Sequence, residues 1–315
     1  MPETAIKYLA PKTTVEEKFP QTSLFLDAWR RLRRDKVAIA GMIILAIFLF
    51  TAIFADDWFI AWALKRDPQP LLAPYDPIKQ TLIERRQPPS IKHPLGLDEV
   101  GRDILSRIIY GARISLQVGV LSVSMAIVVG AMLGAMAGYL GGWVDSAVMR
   151  VMDVMLAFPS LLLAIAVVSI LGPGLMNMLY AIAFVSIPMY ARIARASVLA
   201  EKEKDYVLAA RAIGAKPSRI LFRNILPNCL TPLIVQGTLG IATAILDAAG
   251  LSFLGLGARP PTPEWGTMLG EGRGSVFTAP HIVFFPGIAI MLIVLGFNLL
   301  GDGLRDALDP RLRID

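Results

Sequence analysis

Charge, histidine and cysteine are all scarce in this 315-residue sequence, and each scarcity removes a class of function. A single cysteine, Cys229, rules out an internal disulfide and any metal site built from several thiolates. The two histidines, His93 and His281, stand far apart in the chain and read as lone loop or surface residues, so a histidine-rich metal centre is not expected. There is no G-x-x-x-x-G-K-[ST] phosphate loop, no H-E-x-x-H pair and no G-x-S-x-G nucleophile turn. ATP hydrolysis and metal- or serine-based catalysis are therefore not expected of this chain. Only 18% of the residues are charged while 55% are hydrophobic, with a mean hydropathy of +0.59. A soluble domain is roughly 45–50% apolar even with glycine counted, so the composition describes an integral membrane protein. The net charge of +6 does not point to nucleic acid, because the basic residues cluster beside apolar stretches, where anionic lipid headgroups suit them better.

What the sequence does have is long apolar runs. Residues 1–23 are polar, lack the short apolar core and cleavage site of a secretory signal, and read with the residues up to 36 as a cytoplasmic tail. Arg30, Arg31, Arg33, Arg34 and Lys36 stand directly before residues 37–55, a run of about the 20 apolar residues that cross a bilayer core. Basic residues on that flank place the N-terminus in the cytoplasm. Residues 56–113, proline-rich and polar, then lie outside by parity, although they carry Lys65, Arg66, Lys79, Arg85, Arg86, Lys92, Arg102, Arg107 and Arg113. The positive-inside rule weakens for loops near about 60 residues, so the first span decides. Residues 103–110 within this loop read as an amphipathic interfacial helix.

Further spans are expected at 115–139, 151–171, 176–194, 231–253 and 282–300, which makes six, with residues 114–301 as the core and 302–315 as a cytoplasmic C-terminus. Gly130, Gly134 and Gly138, with Ala131 and Ala135, form a small-residue stripe suited to close helix packing in lipid. A short loop with Asp145 and Arg150 should precede the third span; Pro159 should bend that span, and Pro188 lies inside the fourth, whose cytoplasmic end Arg192 and Arg195 mark. Asp247 falls inside the fifth span, where a carboxylate must face a partner, a water-filled cavity or the protein interior. Trp265 follows in a segment whose prolines forbid a continued helix, and suits an interfacial anchor. Asp302, Asp306 and Asp309 read as ties for the C-terminus rather than catalytic acids.

The most informative stretch is polar and basic, residues 201–228, EKEKDYVLAARAIGAKPSRILFRNILPN. Asp205 is expected to cap a short alanine-rich helix from Tyr206 to Ile213, and Gly214 to end it in a left-handed conformation. Pro217 suits the first turn of a second helix, which Pro227 should close. The small residues Ala209, Ala210, Ala212 and Gly214 let another protein approach the first arm closely.

This stretch resembles the EAA loop of ABC-importer permeases, whose pattern is Glu-Ala-Ala, three residues, Gly, nine residues, Ile, any residue, Leu, Pro. Ala209, Ala210, Gly214, Leu226 and Pro227 match in register, while Leu208 replaces the Glu and Asn224 the Ile, with Ile225 one place late. HPLGLDEVGRDILSRIIYGARISL (93–116), LSFLGLGARPPTPEWGTMLGEGR (251–273) and GDGLRDALDPRLR (301–313) resemble segments of the C-type permeases of dipeptide and oligopeptide importers. The resemblance implies an all-α fold of the type I importer class, six transmembrane helices with both termini cytoplasmic, in the inner membrane of a bacterium. It further implies a non-catalytic subunit that works with a second homologous permease, two ATPase subunits that bind ATP and Mg, and an external substrate-binding protein. Asp205, Tyr206, Ala209, Ala210, Gly214, Leu226 and Pro227 would then couple to an ATPase, and Asp247 and Trp265 are candidates for the translocation path or a subunit contact. Related permeases carry nickel chelates, glutathione and other small solutes, which are the alternative cargoes. An ion-coupled transporter acting alone fits less well, since Asp247 stands nearly alone among ionisable residues in the spans and no internal repeat is evident. In a Cys229→Ser background, an impermeant thiol reagent applied to intact cells should label Asn177→Cys and spare Ser218→Cys. The reverse pattern would invert the topology.

Overall fold

A computed structural model describes residues 29–57, 65 and 69–308; the expected tail 1–28, Arg66, Asp309 and the last residues of the chain lie outside the described residues. The first span, α1 (Lys36–Phe54), begins where Asp35 accepts a hydrogen bond from the Val37 N–H at 2.8 Å. It packs on one side only and leaves Ile43, Ile47, Leu49 and Phe50 exposed, as a lipid-facing helix would.

The second helix, α2 (Ile104–Leu140), is 37 residues long and starts at Asp103, whose carboxylate accepts from the Ser106 N–H. The expected interfacial helix at 103–110 is therefore not a separate element but the first turns of this span. No proline interrupts the run, and the charges that suggested an interface, Arg107 above all, are neutralised by neighbours rather than by water. Gly141, at φ 67°, ends α2 and starts α3 (Gly142–Leu156). Asp145 and Arg150 thus lie on a helix and not in a loop. After residues 157–159 the chain turns by 93° into α4 (Ser160–Leu171). Pro159 lacks the N–H that would continue the ladder. The third apolar stretch is consequently a bent pair rather than a straight span. Among the described residues five helices are long and apolar enough to cross a bilayer, and the bent pair would supply a sixth.

The remaining spans are α5 (Leu175–Glu201), with Pro188 inside it, α7 (Leu230–Phe253) and α9 (His281–Leu308). Between them lie two short helices, α6 (Asp205–Ala212) and α8 (Trp265–Gly272). Asp302 and Asp306 belong to the last turns of α9 and are exposed.

The most extensive pairing in the fold joins α2 and α5, along the glycine stripe. A Cβ on Gly130 would stand 2.7 Å from the Ile187 carbonyl oxygen, and one on Gly138 would stand 2.9 Å from that of Arg195. The two backbones touch where side chains would hold them apart, which is how helices gain dispersion energy in a solvent as apolar as themselves. The first span does the same against α9, where a Cβ on Gly41 would meet the Gly296 carbonyl oxygen at 2.9 Å. Two apolar cores result. Met178, Ile182, Tyr190, Leu233 and Leu251 fill one between α5 and α7 together with α2 and α4. Ile245, Trp265, Ile282, Ile293 and Phe297 fill the other, where α7, α8 and α9 meet α1 and α2.

Candidate functional site

The stretch between α5 and α7 folds as a short helix braced from behind. Lys204, in an extended conformation, precedes α6, so Asp205 is not the cap that its chemistry suggested but the first helical residue. It is exposed there, where a carboxylate complements the partial positive charge of the helix N-terminus. At the other end Gly214 takes φ 75°. Its N–H donates to the Arg211 carbonyl at 3.0 Å, and the Ala215 N–H reaches back to Ala210 at 3.1 Å. This paired arrangement satisfies the last carbonyls of the helix and favours a residue without a Cβ.

Val207 is completely buried and anchors α6 to Ala135 of α2, Val198 of α5, and Ile220, Leu221, Ile225 and Cys229 of the following segment. Ala210 and Leu226 pack partly against the same cluster, so these two motif positions brace the helix from inside. The outward surface carries Ala209, Ala212 and Gly214 together with three large apolar side chains, Leu208, Ile213 and Phe222, exposed by 45%, 85% and 55%. Solvated loops rarely display such a concentration of apolar area without a partner.

The second arm departs from expectation. Pro217 opens a turn, as a proline at the first helical position should, but Pro227 does not close the helix. The chain widens into a π-helical turn at Ile220–Ile225, tightens at Leu226–Cys229 and runs directly into α7. Pro227 cannot bond to the carbonyl four residues earlier, and the change of helical pitch around it absorbs that loss without breaking the rod. The polar loop and the fifth span are thus mechanically one piece. Tyr206, exposed on its ring, turns its hydroxyl toward Glu201 at 2.6 Å; burial first, and then this hydrogen bond, push the phenol above its ordinary pKa.

The ends of α5 and α3 are also tied. Arg195 donates from its terminal nitrogen to Asp145 at 2.6 Å, and Arg192 to Asp153 at 2.6 Å. The arginines expected to mark the cytoplasmic end of the fourth span therefore belong to inter-helix ion pairs.

At the opposite end of the helices lies a charged centre that reasoning from the sequence missed. Arg102 donates to Asp98 at 2.6 Å and to Glu271, on α8, at 2.7 Å. Arg107, which has no exposed surface, donates to Glu271 at 3.3 Å and to the Pro77 and Pro261 carbonyls at 3.4 Å. Arg113 pairs with Asp56 at 2.9 Å. His93 is buried rather than a surface residue; its Nδ1 lies 2.9 Å from Asp103 and its ring stacks on Tyr75. These groups pair with one another, although Nε of Arg107 has no hydrogen-bond partner and only approaches Asp98 at 3.7 Å, and they hold residues 70–103 onto the roots of α2 and α8. The signal that could have found them was the presence of fixed charges inside otherwise apolar segments at 98–107 and 271.

Trp265 is fully buried. Its Nε1 donates to the Ile108 carbonyl at 3.1 Å, its ring meets Phe48 edge-on, and it fills the space beside Gly111. It is a core residue of this chain, facing neither an open path, nor a subunit contact, nor a bilayer interface. Glu264 just before it accepts hydrogen bonds from the Gly266 and Thr267 N–H groups and so caps α8, while burial pushes its carboxyl above the usual carboxylate range. Asp247 is half-buried on α7 and makes no ion pair or hydrogen bond to the described residues, beside the exposed Thr243 and Leu246. Among the described residues no group of three histidine, cysteine or carboxylate side chains is placed to hold a metal.

Comparison with known proteins agrees with this geometry. Residues 130–314 match the model of the binding-protein-dependent transport system inner membrane component, and residues 23–89 that of the N-terminal TM domain of oligopeptide transport permease C. The dipeptide transport system permease protein DppC of Alkalihalophilus pseudofirmus is 49% identical over 95% of this chain and 93% of its own length. The di/tripeptide permease DppC of Pseudomonas aeruginosa is 48% identical over 91% of this chain and 92% of its own. The glutathione transport system permease protein GsiD of Escherichia coli is 46% identical over 91% and 90%. In fold, the chain is similar to the inward-facing MetNI methionine ABC transporter, with a TM-score of 0.53 at 19% identity, over 64% of this chain and 96% of that one.

Replacing Arg107 by Leu should leave Glu271 to Arg102 alone and strip the Pro77 and Pro261 carbonyls of their donor, at a cost of about 1.5–3 kcal/mol. Arg86→Ala, which removes a solvent-exposed pair with Glu99, should cost less than about 1 kcal/mol. Melting curves of the two purified variants in detergent test the contrast, and equal midpoints would show that the Arg107 centre is not structural.

Proposed function

This chain belongs to the family of binding-protein-dependent transport system inner membrane components, and from that premise we propose that it lines half of the path of an ATP-driven importer of dipeptides or oligopeptides. It is a multi-pass, non-catalytic permease subunit of a bacterial ABC importer and works with other transporter subunits. The partners in this reading are a second permease of similar fold, two ATPase subunits holding ATP and Mg, and a binding protein outside that delivers the peptide. The orientation is the one argued from the basic flank of α1, with the polar loop and both termini in the cytoplasm.

The observation that carries the coupling role is α6 itself, a short helix fastened by Val207 on its inner side and apolar on its outer side. An ATPase groove would receive Leu208, Ala209, Ala212 and Ile213, while Ala210 and Leu226 hold the helix in place. Closure of the ATPases on ATP would push α6, and the unbroken run from Pro217 into α7 would carry that push into the membrane, a rocking of packed helices between inward and outward access. Asp247 serves the path in this reading: with no partner among the described residues it requires water, substrate or a second permease in front of it, since lipid would leave a carboxylate unsolvated. Glutathione is the second cargo to test, because a permease of that name is 46% identical.

Ala209 is exposed, so Ala209→Glu should insert and fold normally but place a charge in the docking contact. Uptake of labelled dialanine should be lost, with weaker recovery of the ATPase subunits in pull-downs; wild-type values for both would remove the docking role. Asp247→Asn should reach the membrane in normal amounts and transport more slowly. Cross-linking of Asp247→Cys to a lipid-borne probe, in preference to the second permease or a peptide probe, would place this face against lipid and sink the path reading.

A further inference from the structure

One side chain of α6 bonds to both of the spans that flank it. Tyr206 donates its hydroxyl to Oε2 of Glu201, the last residue of α5, at 2.6 Å. The phenol oxygen of Tyr206 in turn accepts from Nδ2 of Asn228, in the tight turn that leads into α7, at 3.0 Å. Each partner is itself held. Glu201 accepts from Lys204 Nζ at 2.6 Å through its other oxygen, and Asn228 donates to the Asn224 carbonyl at 3.0 Å. The next residue, Val207, is the fully buried anchor of the helix.

The two attachments do different things. An apolar anchor fixes where α6 sits but not how it is turned, because dispersion contacts are non-directional and a single buried side chain can act as a pivot. Two hydrogen bonds to a phenol, one of them to a carboxylate, are directional, and the charge-assisted one is the stronger kind. With them in place, α6 cannot swing about Val207 without dragging the end of α5 and the beginning of α7. Without them, a push on the outer face of α6 would be spent in rotation of a short helix about its connections at 202–204 and 213–216.

We propose that Tyr206 is a positioning residue that clamps α6 to α5 and α7, so that displacement of α6 is transmitted to both spans at once. This rests on the docking of α6 to an ATPase. It differs from a contact role, because the hydroxyl points back into the permease and not toward the partner. From α5 the motion passes directly to α2, whose backbone touches that of α5 along the glycine stripe. From α7 it passes to the face that carries Asp247.

The test uses the complete importer in proteoliposomes, with its binding protein and labelled dialanine. Tyr206→Phe removes one oxygen and leaves the ring and the Val207 anchor. Loss of a hydrogen bond to a charged group corresponds to roughly a tenfold shift between clamped and free states. The expected result is wild-type recovery of the ATPase subunits with about a tenfold fall in uptake and in the ratio of stimulated to basal ATP hydrolysis. Glu201→Gln, which keeps an acceptor for the phenol, should retain most of that ratio. A Tyr206→Phe complex with unchanged uptake overturns the proposal. So does a parallel fall in basal and stimulated hydrolysis, which indicates general damage, or loss of ATPase recovery, which would make Tyr206 a contact. Failure of the docking premise is read separately, from undiminished ATPase recovery in Ala209→Glu.

Discussion

A bilayer leaves nothing for a stray charge to bind, and most of the polar architecture of this permease follows from that one constraint. Where α2 begins, the cations are matched by carboxylates drawn from elsewhere in the chain: Arg102 and Arg107 by Asp98 and Glu271, and Arg113 by Asp56. At the other end Arg195 meets Asp145 and Arg192 meets Asp153. A buried pair is weak as a source of stability against an apolar replacement, yet removing one member of it is severe. The arrangement therefore acts less as glue than as specification, because it admits one register of residues 70–103 on α2 and α8 and penalises others. Asp247 is the exception: it makes no ion pair or hydrogen bond to the described residues, and the proposed place in the path is what would supply it with a partner.

The same pairing explains a puzzle of topology. Nine basic residues between positions 56 and 113 argue against an external location when they are counted one by one. Several of them are not free cations: Arg86, Lys92, Arg102, Arg107 and Arg113 all stand within ion-pair distance of an acid. A neutralised arginine exerts little pull toward the cytoplasmic face, which weakens the objection to placing the cluster before α1 on that side.

Helices were legible in the sequence because apolar length is a sufficient signal in a membrane, and the stripe of Gly130, Gly134 and Gly138 announced a close contact before its partner was known. The limits were of three kinds. Local chemistry cannot foresee which interruptions are tolerated: Pro188 is buried against α2 and sits inside an unbroken helix, whereas Pro159 lies in a stretch exposed from Val151 to Leu162 at nearly every position, and there the chain turns by 93°. Packing on both sides can hold a helix straight across a missing hydrogen bond; an unpacked stretch has nothing to do so. Burial of polar and aromatic groups was equally hidden, since Trp265 and His93 owe their places to Gly111, Phe48, Asp103 and Tyr75, which come from distant parts of the chain. And a cap read from residue type alone, Asp205, was displaced by one position because Lys204 was extended enough to begin the helix.

The polar loop between α5 and α7 shows why a motif can be recognisable and yet misread residue by residue. Its alanines look alike in the sequence, but Ala209 is exposed while Ala210 leans on the Val207 cluster, and Leu226, which reads as a contact for a partner, is part of the brace. Small size suits both alanines for opposite reasons, close approach to the chain's own core at Ala210 and, in the proposed docking, close approach of an ATPase at Ala209. Leu208 replaces the acid of the family pattern and is exposed, so the surface offered to a partner here is more apolar than the pattern would make it. An apolar contact is non-directional and holds a helix without orienting it. The orientation must then come from inside the permease, and the polar side chains placed to supply it are those gathered around the hydroxyl of Tyr206.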